Sequence, residues 1–331
     1  MTDRIKDETE LIQTYLAPLA AAAPGAFGLR DDAALLSLPE GSELVVTSDP
    51  IRAGTHFFAT DNASDIAWKA LTVNVSDLAA KGATPLAYIL ALAFPEAPEK
   101  AWMGDFARGL AAAQAAFGCV LVGGDTDRAS GPLSIGVTAF GAVAKGRFVR
   151  RQGAAPGDHV FVTGTIGDSA LGLDILRATS RFEDRLAEAA RQFLVARYLR
   201  PTPRLALAPL LSRYASAALD VSDGFVRDLQ RLCGTSGLRL SFAALPMSSA
   251  ARAAAEADAR VIDRVLSGGD DYEILLAIPP HNVADFVAAA AAAGVEVTDI
   301  GVLKAEEPIV ILGADGQPIR LQKPGYDHFS A

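Results

Sequence analysis

Apolar positions recur along this 331-residue chain in two rhythms, and their alternation predicts an α/β or α+β protein. Glu43 to Thr47 (ELVVT) reads as a strand, bounded by Gly41 before it and by Asp49-Pro50 after it. Ser64 to Ala80 instead carries Ile66, Ala67, Ala70, Leu71, Val73 and Leu78 at helical spacing. Asn62 or Ser64 can cap its start, and Gly82 sits where a left-handed C-cap belongs. An earlier helix is expected over about residues 5–20, ending in Ala23-Pro24-Gly25. Tyr88 to Ala93 is a continuous apolar run and predicts a buried strand. Trp102 to Phe117 predicts a second amphipathic helix, stopped by Gly118. Cys119–Gly123 and Leu133–Val143 read as two further strands, separated by a polar turn from Asp125 to Gly131.

The segment GRFVRRQGAAPG (146–157) is rich in Gly, Arg and Pro, which places a domain boundary there and divides the chain into 1–145 and 146–331. The second half opens with a strand in HVFVTG, a turn over Gly164–Gly167 and a helix from Ser169. A helix over about 183–198 precedes Pro201 and Pro203. A strand near 217–221 leads into a helix from Phe225 to Cys233, and short strands are expected near 295–302 and 308–312. The alanine-rich pieces at 251–259 and 288–293 are helix formers without evident chemistry.

The charge balance, 39 acidic against 30 basic side chains, argues against a nucleic-acid binder, whose affinity rests on basic surfaces. Cys119 and Cys233 are far apart in apolar settings and read as reduced core residues. The amino-terminal stretch MTDRIKDETELI lacks the apolar run of a signal peptide, and the run FVAAAAAAGV is too short to span a bilayer. A soluble, cytoplasmic protein is expected.

The candidate chemistry lies in aspartates embedded among small and apolar residues beside expected strand ends. Asp31-Asp32 precede AALL, Asp49 ends VVTSD, Asp77 lies in VNVSDLAAKG and Asp125 ends LVGGD. Asp220 and Asp223 lie in ALDVSDG, and Asp270-Asp271 in SGGDDYE. A carboxylate withdrawn from water needs a partner or a metal. The four histidines do not cluster, so the oxygen-rich set points to a hard cation such as magnesium rather than zinc. Singly, each motif has a plainer reading. Ser222 or Asp223 can be helix caps, Gly123-Gly124-Asp125 and Asp270-Asp271 turns, and Asp31-Asp32 a solvated loop. No phosphate loop of the GxxxxGK[ST] type, protein-kinase signature or nucleophile elbow is present.

These motifs, in this order, resemble the thiamine-monophosphate kinase family of the aminoimidazole ribonucleotide synthetase-like superfamily. The matching stretches include DDAALL (31–36), TSDPIRAGTHF (47–57), WKALTVNVSDLAAKGATP (68–85), GGDTDR (123–128) and GRFVRRQGAAPGD (146–158). VTGTIGDSALGL (162–173), LDVSDGF (219–225), GGDDYE (268–273) and KPGYDHF (323–329) complete the set. The resemblance implies a homodimer of two-domain subunits, with the amino-terminal sheet in the dimer interface and ATP bound between domains. It further implies transfer of the γ-phosphoryl of ATP to thiamine monophosphate, giving thiamine diphosphate, with several magnesium ions.

Carried over by position, Asp32, Thr47, Ser48, Asp49, Asp77, Asp125, Asp220 and Asp223 match metal ligands. Gly124, Asp125, Arg150 and Ser222 match ATP contacts, and His56, Asp270 and Tyr326 match the thiamine-phosphate side. Asp49, Asp125 and Arg150 are the residues expected to carry catalysis. Arg150 could clamp a phosphate with its planar fork, or be a surface arginine. Tyr326 suits a cationic thiazolium, or packs a terminal tail. His56 reads either as a site residue or as an ordinary core or surface histidine, and Trp68 and Trp102 as core packing. Three positions depart from the family pattern: Arg30 for a small residue, Asp270 for Glu, and Asp127 after the GGDT piece. Because the acceptor phosphate is already ionised, such a reaction needs no general base. The alternatives are another ATP-using enzyme of the superfamily, ligase or selenophosphate synthetase-like, and a non-catalytic nucleotide-binding paralogue.

Overall fold

The computed structural model describes residues 3–327, which form two compact units. One comprises the chain up to Ala79 together with Ala83–Gly146; the other comprises Ala80–Gly82 and the chain from Arg147 onward.

The first unit begins with α1 (Glu8–Leu11), capped by Asp7, whose carboxylate accepts the Glu10 N–H at 2.8 Å. The run continues as a π turn at Ile12–Leu16 and a 3-10 turn at Ala17–Ala20. The single helix expected over 5–20 is therefore a helical run that changes pitch twice. Pro18 lacks the N–H that an α-helical ladder would need there.

Four strands follow with two long helices: β1 (Ser42–Arg52), α2 (Ala63–Ala80), β2 (Thr84–Phe94), α3 (Lys100–Phe117), β3 (Val120–Arg128) and β4 (Ser134–Ala144). The sheet order is β1-β4-β2-β3, antiparallel except for the parallel pair β2–β3. Two strands outrun their expected ends. β1 continues through Asp49-Pro50, which an edge strand tolerates. β3 runs through Arg128, with Asp125 opposite Ala91 of β2, where a turn was expected from Asp125 on. The exposed side chains of Asp125, Asp127 and Arg128 leave nothing to bury, so a polar sequence continues the ladder without cost.

Side chains on one face of this sheet are buried, Tyr88, Leu90, Leu92, Ile135 and Val137 among them, as are Leu71 and Leu78 of α2 and Phe106 and Leu110 of α3. The Tyr88 hydroxyl donates to Gln114 of α3 at 2.8 Å, and that amide also accepts the Leu121 N–H. Trp68 meets Phe117 edge-on and Trp102 stacks on Phe106, the packing expected of both. The other face is covered in part, where Ala87 and Val122 pack with Ala20 and Ala26, and is open elsewhere. Strand β2, expected to be buried throughout, exposes Ile89 and Ala91 there, and β1 exposes Leu44 and Val46.

The second unit contains β5 (His159–Thr163), α4 (Asp168–Leu176), α5 (Glu188–Leu199), α6 (Ala208–Tyr214), β6 (Ala217–Asp220) and α7 (Phe225–Cys233). It continues with β7 (Ser236–Gly237), β8 (Arg239–Ser241), α8 (Ser249–Ala257), α9 (Val261–Ser267) and β9 (Ile274–Ile278). Then come α10 (Val283–Ala292), β10 (Val297–Val302), β11 (Lys304–Ala305) and β12 (Val310–Leu312). The main sheet, β10-β5-β9-β6, is antiparallel throughout. Val160, Val162, Leu219, Leu275 and Ala277 share one core with Leu171, Phe225, Leu229 and Val265. The helix expected over 183–198 starts only at Glu188. Leu186 is extended (φ −92°, ψ 143°) and buried, so core packing overrides local propensity there. No helix among the described residues is long and apolar enough to cross a membrane.

Candidate active site

The period-2 alternation of β1 sorts its polar residues onto opposite faces of the first sheet. Val45 and Ile51 are buried, so Thr47 and Asp49 lie on their side, toward α2; Ser48 projects with Leu44 and Val46 onto the open face. The Thr47 hydroxyl donates to an Asp77 carboxylate oxygen at 2.5 Å, joining strand to helix. One turn earlier on α2, the buried Asn74 side chain bonds the Asp49 backbone twice. Its Oδ1 accepts the Asp49 N–H at 2.9 Å, and its Nδ2 donates to the Asp49 carbonyl at 3.2 Å.

On the open face lies a cavity of about 770 Å3 lined by Ser48, Asp32, Asp31, Arg30, Gly124 and Asp125, among others. The Ser48 hydroxyl shares a hydrogen bond with Thr138 at 2.8 Å. Asp32 and Asp31 are exposed in a loop in which Asp31 accepts the Asp32 N–H. The Asp125 carboxylate accepts the N–H of its neighbour Thr126 at 2.9 Å. Gly124 is required by close approach, since a Cβ there would lie 1.9 Å from the Leu90 carbonyl oxygen. Arg30, the residue foreign to the family pattern, adds a cation to this acid-lined wall. His56 stands beyond β1 in a turn where its Nδ1 accepts the Arg52 N–H at 3.1 Å, so the neutral ring carries its proton on Nε2.

In the second unit, backbone hydrogen bonds gather the other candidates. Asp220 closes β6. The chain then runs alongside residues 270–273: the Asp270 N–H donates to Ser222 O, the Tyr272 N–H to Val221 O, and the Val221 N–H to Glu273 O. The Tyr326 N–H donates to Asp223 O at 2.8 Å, which brings the far end of the described chain to the same loop. The Arg227 guanidinium pairs with Asp327 and the Tyr326 carbonyl. His328 and Phe329, the last residues of the KPGYDHF motif, lie outside the described residues. Arg150 is exposed, its carbonyl accepting the Ala218 N–H of β6 at 3.1 Å.

Capping is not the role of Ser222 or Asp223, because the N-cap position of α7 is Gly224. Both their N–H groups instead donate to Asp228, a buried acid on α7. Burial, with a contribution from the Asp223 charge, pushes the Asp228 carboxyl up to about 6. Arg231 bridges Asp223 at 2.6 Å and Asp228 at 2.7 Å.

A second layer of buried charge supports the 270–273 segment. Glu273 is fully buried and accepts from Arg204 in a bidentate pair, from Arg197 at 2.8 Å and from the Thr163 hydroxyl at 2.6 Å. Asp271, also fully buried, accepts the Gly167 and Ser169 N–H groups at the start of α4. Burial drives its carboxyl well above the ordinary range. Between these anchors Asp270 and Tyr272 adopt left-handed backbone (φ 69° and 51°), and the Tyr272 hydroxyl donates to Asp270 at 3.1 Å.

The eight metal candidates thus fall into three groups: Asp32, Ser48 and Asp125 around the open-face cavity; Thr47, Asp49 and Asp77 at β1 and α2; Asp220 and Asp223 in the second unit. Among the described residues no three His, Cys, Asp or Glu side chains converge as a cage. Oxygen donors offered in ones and twos suit magnesium, which completes its shell with water and substrate phosphates rather than with protein alone.

Asn74, Asp228 and Glu273 were not singled out from the sequence, and Asp271 was named only as the neighbour of Asp270, without a role of its own. Asn74 and Asp228 had a legible signal, since each occupies the apolar stripe of its helix, where a polar residue must have a partner.

The comparisons bear on this arrangement along nearly the whole chain. Residues 30–143 match the AIR synthase related protein, N-terminal domain, and residues 155–313 match its C-terminal domain. A thiamine-monophosphate kinase of Salmonella typhimurium is 40% identical over 305 residues, 92% of each chain. The chain belongs to the thiamine-monophosphate kinase family. A solved member from Stenotrophomonas maltophilia K279a superposes with a TM-score of 0.77 at 37% identity, covering 88% of this chain and 91% of that one. Another, the complex of AaThiL with AMPPCP and TMP, superposes with a TM-score of 0.76 at 30% identity, covering 92% and 97%. The two-domain fold expected from the family motifs is therefore the fold of this kinase family.

Proposed function

We propose that this chain transfers the γ-phosphoryl group of ATP in line to the phosphate of thiamine monophosphate, giving thiamine diphosphate and ADP. The observation that carries the reading is the family member solved with AMPPCP and TMP, which matches this chain over 92% of its length. An ATP analogue and a phosphorylated acceptor on one relative are the two substrates this reaction needs.

The residues divide the work as follows. Asp32, Ser48, Asp125, Thr47, Asp49 and Asp77 of the first unit, with Asp220 and Asp223 of the second, would hold magnesium, each contributing one or two oxygens. Bound magnesium supplies charge neutralisation between the two polyanions and on the transferring group. Gly124 brings backbone close to the nucleotide without a side chain in the way, and Ser222 and Arg150 donate to its phosphates. His56 and Asp270 hold the thiamine-phosphate side, and Tyr326 offers an aromatic face to the cationic ring. Asp49, Asp125 and Arg150 matter most for turnover. The acceptor oxygen needs no base, in keeping with the absence of a His–carboxylate pair from the assigned residues.

The protein works in the cytoplasm as a homodimer. Leu44 and Val46 are 46% and 52% exposed on the uncovered sheet face, apolar surface suited to a second copy. Residues 1–145 carry metal, nucleotide-phosphate and dimer contacts; residues 146–331 carry ATP and thiamine-phosphate contacts. The test is to mix the protein with ATP, magnesium and thiamine monophosphate and separate the products by chromatography. Thiamine diphosphate is expected, and none with EDTA or from free thiamine. Folded protein that binds ATP yet forms no thiamine diphosphate would overturn the reading.

A further inference from the structure

Strand β1 pairs with β4 on one side only, and at Asp49, opposite Val137, its backbone also takes a partner from α2. The Asn74 amide accepts the Asp49 N–H through Oδ1 and donates to the Asp49 carbonyl through Nδ2. Asn74 is itself fully buried, and its Nδ2 also bonds the Ala70 carbonyl one turn back at 3.3 Å, which fixes its rotamer. Three residues on, Asp77 accepts from Thr47. The strand and the helix are thus laced by two rungs, Thr47 to Asp77 and Asp49 to Asn74, both involving residues assigned above to the metal site.

We propose that Asn74 is the positioning residue of that site: it holds the β1 backbone at Asp49 in fixed register against α2, so that the carboxylates of Asp49 and Asp77 meet a divalent cation without reorganisation. Asn74 needs no contact with the metal to do this. It acts through the backbone of one ligand and from the same helical face as the other, an outer-sphere role whose loss typically weakens metal binding by about ten- to a hundredfold. The inference rests on the assignment of Asp49 and Asp77 as metal ligands.

The test measures Mn2+ affinity of the full chain by electron paramagnetic resonance, with a non-hydrolysable ATP analogue present. The Mg2+ dependence of turnover, the KM for thiamine monophosphate and the melting temperature are measured in parallel. Asn74→Ala is expected to weaken Mn2+ binding and raise the half-saturating Mg2+ concentration by about tenfold or more. The KM for thiamine monophosphate should stay within about twofold, because the thiamine side is untouched. Asn74→Ser, which keeps one hydrogen-bonding atom, should shift the metal affinity less, and it serves in place of the alanine variant if that chain does not fold. A folded Asn74 variant that melts earlier yet binds Mn2+ like the native chain overturns the positioning role. Asp49→Asn separates this from the underlying reading: native Mn2+ affinity and turnover in Asp49→Asn would sink the ligand assignment itself, whereas loss in Asp49→Asn without loss in the Asn74 variants sinks only the inference about Asn74.

Discussion

The two units aim their candidate side chains by different means. In the first, Thr47, Ser48, Asp49 and Asp125 stand on regular strands, and the ladder sets their directions. In the second, Asp223 and Asp270 stand on irregular segments held by backbone bonds and braced from behind by Glu273, Asp271 and Asp228. A strand supplies orientation as a by-product of folding, so its carboxylates can be exposed and individually dispensable to stability. A loop that must hold left-handed residues at Asp270 and Tyr272 needs buried ionic support, and there function and stability are entangled.

The largest effect that would break this contrast is expected at Glu273. Glu273→Ala leaves the Arg204 and Arg197 guanidinium groups without their buried partner and should cost about 3–5 kcal/mol in denaturant unfolding. A loss below about 1 kcal/mol would mean that the segment does not depend on its bracing.

Asp125→Asn should behave in the opposite way. Turnover should fall about a hundredfold, the scale of a lost electrostatic contact to the transferring group. Stability should stay within about 0.5 kcal/mol, because the side chain is exposed and among the described residues accepts just the N–H of its neighbour. Near-native turnover in this variant would remove Asp125 from the metal and ATP assignment.

The smallest effect sharpens the comparison by pH. Burial raises the folded-state carboxyl of Asp271 well above its ordinary value of 3.8. The native protein thus has this group's contribution in full below about pH 3.8 and loses it as pH rises toward the folded value. Asp271→Asn keeps an acceptor but no titrating proton, so its stability relative to the native chain should improve as pH rises from about 4. Urea unfolding of both proteins across that range reads the difference; a constant gap would show that Asp271 does not titrate in this window.

Much of the fold and the chemistry was legible because it repeats. Helical spacing located α2 and α3, and aspartates set among small residues marked the same motifs that the family shares. What escaped depended on partners distant in sequence. The strand character of Asp125 to Arg128 comes from pairing with β2 and not from propensity, since its residues alone spell a turn. Leu186 left its helix to fill a core built from segments elsewhere in the chain. Nothing in GGDDYE sets Glu273 apart, and only the convergence of Thr163, Arg197 and Arg204 makes it an anchor. The division of the aspartates between two faces of one sheet was recoverable from strand parity at Thr47, Ser48 and Asp49, given a strand that continued past Pro50.

The outer edge of β1 also bears on how the chain behaves in a crowded solution. An edge strand with a full row of free donors and acceptors is a template on which another copy can add a strand, the first step toward fibrous aggregation. On β1 that row lacks a donor at Pro50, and at Arg52 both groups are taken by His56, so an incoming strand finds these positions closed. The proline and the His56 turn that close the strand thereby also stop the sheet from growing past its edge.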